Sequence, residues 1–132
     1  MASFSKQTET FTEKHLEKAA RMRQAVILEL FSSIVMLTPV DTGRARGNWI
    51  YSVGAPNRRT DSQPNDRSGS RVTGELNHLV SGDDGIYYFN NNLPYIGALE
   101  AGVSSQSPDG MVSISLNRVK EWIRKNEASL HK

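Results

Sequence analysis

The sequence predicts an α+β domain: a long N-terminal helix packed on a small, mainly antiparallel sheet, with short helices and a C-terminal helix. Three observations lead there. Residues 8–37 carry apolar side chains at helical steps, two β-prone runs lie at residues 47–53 and 86–89, and residues 115–125 return to a helical stripe. A length of 132 residues suits one domain over 1–132, with termini that extend from the body or move. Hydrophobic residues at 37% and charged residues at 23% exclude a disordered or fibrous chain.

In the first helix Phe11, Leu16, Ala19, Ala20, Val26, Ile27, Leu30, Phe31, Ile34 and Leu37 fall mostly three or four residues apart. The stripe is sparse before Met22, so the first third is expected to project or to meet another subunit. Pro39 cannot continue the helix and biases Thr38 toward an extended shape. Asp41, Thr42 and Gly43 make a turn signature, in which an Asp41–Arg44 ion pair would help stop the helix. Trp49, Tyr51 and Val53 then alternate as a half-buried strand. Residues 54–71 offer no side chain larger than proline to a core and read as a long polar loop. That loop holds Arg58, Arg59, Arg67 and Arg71, either a solubilising set or an arm for a neighbouring protein or DNA phosphates.

A short helix is expected over Val72–Val80, with Leu76, Leu79 and Val80 inward and Gly82 ending it. A turn at Asp83-Asp84-Gly85 leads to a buried strand from Ile86 to Phe89. Pro94 suits the first turn of a short helix carrying Tyr95, Ile96, Ala98 and Leu99, with Gly102 as its cap. After a turn at Ser107–Gly110, Met111–Ile114 reads as a short strand. Ser115 is then the expected N-cap of the last helix, which turns Leu116, Val119, Trp122 and Ile123 inward.

Composition narrows the function. The absence of cysteine excludes disulfides, thiol catalysis and thiolate metal sites. His15, His78 and His131 share no face with a second ligand, and no phosphate-cradling loop, nucleophile elbow or HExxH is present. No catalytic, cofactor or metal site is therefore assigned, and the chain is not expected to be an enzyme. The run from Val26 to Leu37 is too short and polar to span a bilayer, and the N-terminal residues lack an apolar signal region. Charge separates along the chain: residues 72–109 carry a net −5, while residues 41–71 and 110–132 each carry +3. Such a separation suits a subunit whose acidic and basic surfaces meet head to tail, as in a closed ring. Trp49, Tyr51, Tyr87, Tyr88 and Phe89 fit sheet packing better than a base-stacking platform, because no basic residues interleave with them.

Two ordered patterns go further. The first is Thr38-Pro39-Val40-Asp41-Thr42-Gly43-Arg44 followed by Asn48-Trp49. The second runs Asn91-Asn92-Leu93-Pro94-Tyr95-Ile96, Leu99-Glu100-Ala101-Gly102-Val103-Ser104 and Gln106-Ser107-Pro108-Asp109-Gly110-Met111-Val112. In this order they resemble the neck or tail-completion (head–tail joining) proteins of tailed bacteriophages, over roughly residues 25–120. Ala101 and Asp109 depart from that family's usual residues. The resemblance implies a structural virion protein, assembled in the host bacterial cytoplasm, that forms a ring of six copies or a multiple of six. Such a ring would meet a head-side connector or stopper and a tail-tube or tail-terminator protein, and would surround duplex DNA. Pro39, Asp41, Thr42, Gly43, Arg44, Trp49, Pro94, Tyr95, Glu100, Gly102, Pro108, Gly110 and Met111 become the candidate interface or motif residues. Glu100 would be an exposed carboxylate or an anchor for Arg44 or Arg46 of a neighbour. The alternative is a small nucleic-acid-binding or regulatory protein that uses the arginine loop.

Overall fold

The computed structural model describes the backbone over residues 4–79 and 85–130, and side chains over 17–78 and 85–126. The expected inward Leu79 and Val80 side chains, the Gly82 stop and the Asp83-Asp84 turn lie outside the described residues. The chain is α+β, as its periodicities require. Its elements are α1 (Phe4–Leu37), α2 (Arg44–Gly47), β1 (Ile50–Val53), α3 (Ser70–Leu79), β2 (Tyr87–Asn90), α4 (Ile96–Glu100) and α5 (Val112–Leu130).

The two strands pair antiparallel, with Ile50 opposite Asn90, Tyr51 opposite Phe89, Ser52 opposite Tyr88 and Val53 opposite Tyr87. A two-stranded sheet is marginal by itself and needs a packed face. Aromatic stacking supplies it here. Phe89 stacks on Phe31 of α1 at 4.3 Å between ring centroids and on Trp49 at 5.0 Å. Tyr51 meets Phe31 edge-on at 6.3 Å. These rings are committed to the core, which Phe31, Ile34, Val35, Trp49, Val72, Leu76 and Met111 form together. A base-stacking role for Trp49 and Phe89 is thereby excluded.

The start of α5 lies against the end of α1, where the Ser33 and Ser115 hydroxyls share a hydrogen bond of 2.9 Å. This placement corrects two expectations. Met111–Ile114 is not a strand, because α5 already begins at Val112. Ser115 is a fully buried residue inside the first turns rather than the N-cap. Ser115 and Val119 of α5 consequently turn inward in line with Met111, the residue before the helix, and Leu116 points outward at 41% exposure. Leu116→Ser is therefore expected to change unfolding free energy by less than about 0.5 kcal/mol in urea titrations.

The polar loop also departs from expectation. Its second half packs against the body: Asp66 and Gly69 are buried, and the Asp66 N–H donates to the Gly43 carbonyl at 2.9 Å. The Asp66 carboxylate accepts from the Val72 N–H at 3.1 Å, within the first turn of α3. A carboxylate there satisfies an orphan donor and complements the helix dipole. Helix α3 accordingly starts at Ser70, two residues before the expected Val72.

Candidate functional site

Both sequence patterns meet at the corner where α1 ends and α5 begins. Helix α1 stops at Leu37 with its last carbonyls facing that corner, and each finds a partner. The buried Thr38 hydroxyl donates to the Ile34 carbonyl at 2.7 Å and accepts the Trp49 indole N–H at 2.9 Å. The Ser107 hydroxyl donates to the Leu37 carbonyl. Arg46 spreads its guanidinium over three carbonyls, those of Thr38 (2.9 Å), Met36 (2.8 Å) and Arg67 (2.9 Å). A planar five-donor fork suits such a cluster of acceptors at a helix C-terminus. Burial holds the Arg46 pKa below its ordinary value, against the raising influence of Asp66.

At the start of α5 the same sealing is done by one side chain. The Glu100 carboxylate accepts from the backbone N–H groups of Met111 (2.9 Å), Val112 (2.9 Å) and Ser113 (3.0 Å), and from the Ser113 hydroxyl (3.0 Å). Glu100 is thus not a bare surface carboxylate: it serves its own subunit as the cap of α5. The turn that carries Pro108 delivers Met111 to the core, and Gly102 faces the Pro108 carbonyl at a distance that leaves no space for a side chain. Gly110 is buried beside Glu100, and its N–H donates to the Ser107 carbonyl at 3.1 Å. Gln106 clips the two patterns together, its amide pairing with both the N–H (2.9 Å) and the carbonyl (3.0 Å) of Val40.

A cleft of about 440 Å³ opens over this junction. Pro39, Val40, Leu99 and Tyr95 give it apolar walls, while Asp41, Thr42 and Gln106 add exposed polar groups. Arg44 stands at its edge with its guanidinium 5.5 Å from the Tyr95 ring centroid. Its ion-pair partner is Asp61, at 2.7 and 2.9 Å, rather than Asp41. A two-point match to a carboxylate is the geometry that a guanidinium prefers, and position 61 of the loop reaches it where the neighbouring position 41 does not. The bond to Arg44 is the main cause that holds the Asp61 carboxyl below its ordinary pKa.

No protein family, curated protein or solved structure matches this chain. The site is therefore read from its own chemistry. Among the described residues, no group of three His, Cys, Asp or Glu side chains is placed to hold a metal ion, and no helix is long and apolar enough to cross a membrane.

Of the candidate residues, Pro39, Asp41, Thr42, Gly43, Arg44 and Tyr95 line the cleft. Trp49, Glu100, Gly102, Pro108, Gly110 and Met111 build its support, and Pro94 sits in the exposed turn leading to Tyr95. Gln106 and Ser107 were not among the candidate site residues, and Arg46 was named only as a neighbour's partner for Glu100, yet all three hold the junction together within one subunit. Gln106 and Ser107 stood inside the second pattern and Arg46 beside the first, so their position in the sequence was their signal.

The four loop arginines divide. Arg71 belongs to the fold: it donates to the Gly47 carbonyl (2.8 Å) and the Pro64 carbonyl (3.1 Å) and pairs with Glu75 (3.1 Å). Arg58, Arg59 and Arg67 are exposed. The Asn92 amide fastens the first two by donating to the carbonyls of Asn57 and Arg59, each at 2.8 Å. Asn92→Ala is expected to speed tryptic cleavage after Arg58 and Arg59 several-fold, because local opening governs access. Mass spectrometry of timed digests measures it.

Proposed function

We propose that the chain is a structural subunit of the head–tail junction of a tailed bacteriophage. Six copies, or a multiple of six, close into a ring that joins tail to head and surrounds the DNA passage. A head-side connector or stopper meets one side of the ring, and a tail-tube or tail-terminator protein meets the other.

The observation that carries this reading is the convergence of the two patterns on one corner. They are separated by about forty residues of chain, yet Gln106 joins the second pattern to Val40 of the first, Ser107 bonds the adjacent Leu37 carbonyl, and Glu100 braces the second pattern internally by capping α5. The hydrogen-bonding groups of that junction are largely turned inward. What it presents outward is the cleft rim of Asp41, Thr42 and Tyr95. A half-exposed aromatic among small polar groups has the composition of a protein contact. The charge separation along the chain supports a heterologous contact, since unlike surfaces must meet for such a ring to close.

Removing the gene from its phage is the test. The expected result is DNA-filled heads and separate tails under the electron microscope. Infectious particles in normal number would refute the proposal.

A further inference from the structure

The charge of the polar loop is not what its composition implies. Residues 54–71 hold four arginines and two aspartates, and the segment before them, residues 41–53, adds Arg44, Arg46 and the exposed Asp41. Of these six arginines folding uses three internally: Arg44 on Asp61, Arg46 on three carbonyls, and Arg71 on two carbonyls and Glu75. It also engages both acids of the loop, Asp61 with Arg44 and Asp66 with the first turn of α3. The loop arginines left without an ion pair are Arg58, Arg59 and Arg67, all exposed, with the exposed Thr60 and Ser62 hydroxyls between them; Asp61, also exposed, is neutralised by Arg44.

The loop is also held in place. Asn92 fixes the backbone on either side of Arg58, Asp61 is locked to Arg44, and the Arg67 carbonyl is bonded by Arg46. The entropy of ordering this segment has been lost on folding, before any partner arrives.

We propose that Arg58, Arg59 and Arg67 form a contact for the phosphate backbone of duplex DNA. The surroundings favour a polyanion over a protein. A protein contact is centred on buried aromatic or aliphatic anchors, and residues 54–71 contain no apolar side chain beyond alanine and proline. Unneutralised arginines with neighbouring hydroxyls are instead the groups that bind phosphate and release counterions. The place of use, inside a ring around DNA, rests on the reading above; the contact itself does not need the ring.

The experiment is a salt titration of the purified full chain with a 30-base-pair duplex, followed by fluorescence anisotropy. Light scattering is run on the same samples. Wild type is expected to bind at low salt, and the slope of log K against log salt is expected to flatten by about 0.9 for each arginine removed. The comparison variant Arg118→Ser/Lys120→Ser/Lys125→Ser loses the same charge from α5 and is expected to keep the wild-type slope. Equal flattening in this variant and in Arg58→Ser/Arg59→Ser/Arg67→Ser would overturn the proposal, because the binding would then be diffuse surface charge. Absence of binding at 50 mM salt would overturn it in any oligomeric state. Rings that ignore DNA would leave the ring reading standing without this contact. Monomers that bind with the expected slopes would uphold the contact without the ring.

Discussion

Glu100→Ala is expected to lower the unfolding free energy by about 2 kcal/mol, from the loss of a helix cap whose acceptor is charged. In a chain of this size that is a fall of roughly 8 °C in thermal midpoint. One carboxylate serves three backbone donors and a hydroxyl at the start of α5. Its removal leaves those donors facing a half-buried turn, and it frees the turn that delivers Met111 to the core. Glu100→Gln isolates the charge. Burial pushes the Glu100 pKa up, but the hydrogen bonds from Val112, Met111 and Ser113 outweigh it, so the carboxyl lies below its ordinary 4.5. A group whose folded pKa is depressed stabilises fully above its unfolded value, and that contribution is lost as pH falls through the folded value. The gap between wild type and Glu100→Gln should therefore be widest near neutrality and narrow below about pH 4.5. Urea unfolding from pH 7 to pH 3 measures it, and a gap that stays constant over that range would rule out an ionic cap.

How much of this corner was legible in the sequence depends on the range of the interactions. The stop of α1 was legible, because Thr38-Pro39 acts locally. The stripe of α1 was legible because periodicity reports burial directly, but the strands were legible only in place. Strand β1 begins at Ile50 rather than 47 and leaves Val53 exposed instead of alternating, and β2 begins at Tyr87 with Ile86 exposed, because a two-stranded sheet covers neither edge. The start of α5 was not. Ser115 preceding an apolar run carries every local mark of an N-cap, but the cap actually used is Glu100, on a different helix. With that cap supplied from a distance, α5 begins at Val112, four residues before the Leu116 start that a Ser115 cap implied, and Ser115 turns inward to Ser33. The helix face then rotates and Leu116 goes out to solvent. The same physics misassigned Arg44, whose nearest acid in sequence is Asp41 and whose partner in space is Asp61. Short helix α2 was missed because its four residues, Arg44–Gly47, are too few to show a period. The loop arginines could be counted from the sequence, but which were engaged internally is a property of the fold alone.

Gly43→Ala is expected to cost about 3 kcal/mol and to loosen both halves of the candidate site together. Gly43 sits at φ +88°, in the left-handed region, immediately before α2. A Cβ there would lie 2.5 Å from the Arg67 nitrogen and 2.8 Å from the Asp66 carbonyl carbon. Both neighbours are backbone, so neither can move aside as a side chain would. To admit the methyl group, residues 66 and 67 must shift. That breaks the 2.9 Å bond from the Asp66 N–H to the Gly43 carbonyl and draws the Arg67 carbonyl away from Arg46. Gly54→Ala separates the two contributions. Gly54 has nearly the same φ, +87°, but nothing stands within 4 Å of its would-be Cβ. Its substitution should therefore show the conformational cost alone, about 1 kcal/mol. Equal losses in the two variants would mean that the packing of residues 66–67 on Gly43 contributes nothing. A larger loss at Gly43, with faster amide exchange at Arg67 than in Gly54→Ala, would establish the close backbone approach as the clasp between the end of α1 and the arginine loop. The interface assigned to the cleft and the DNA contact assigned to the loop would then depend on one residue, because the strand of chain behind Arg67 also supports Gly43 and the Arg44 edge of the cleft.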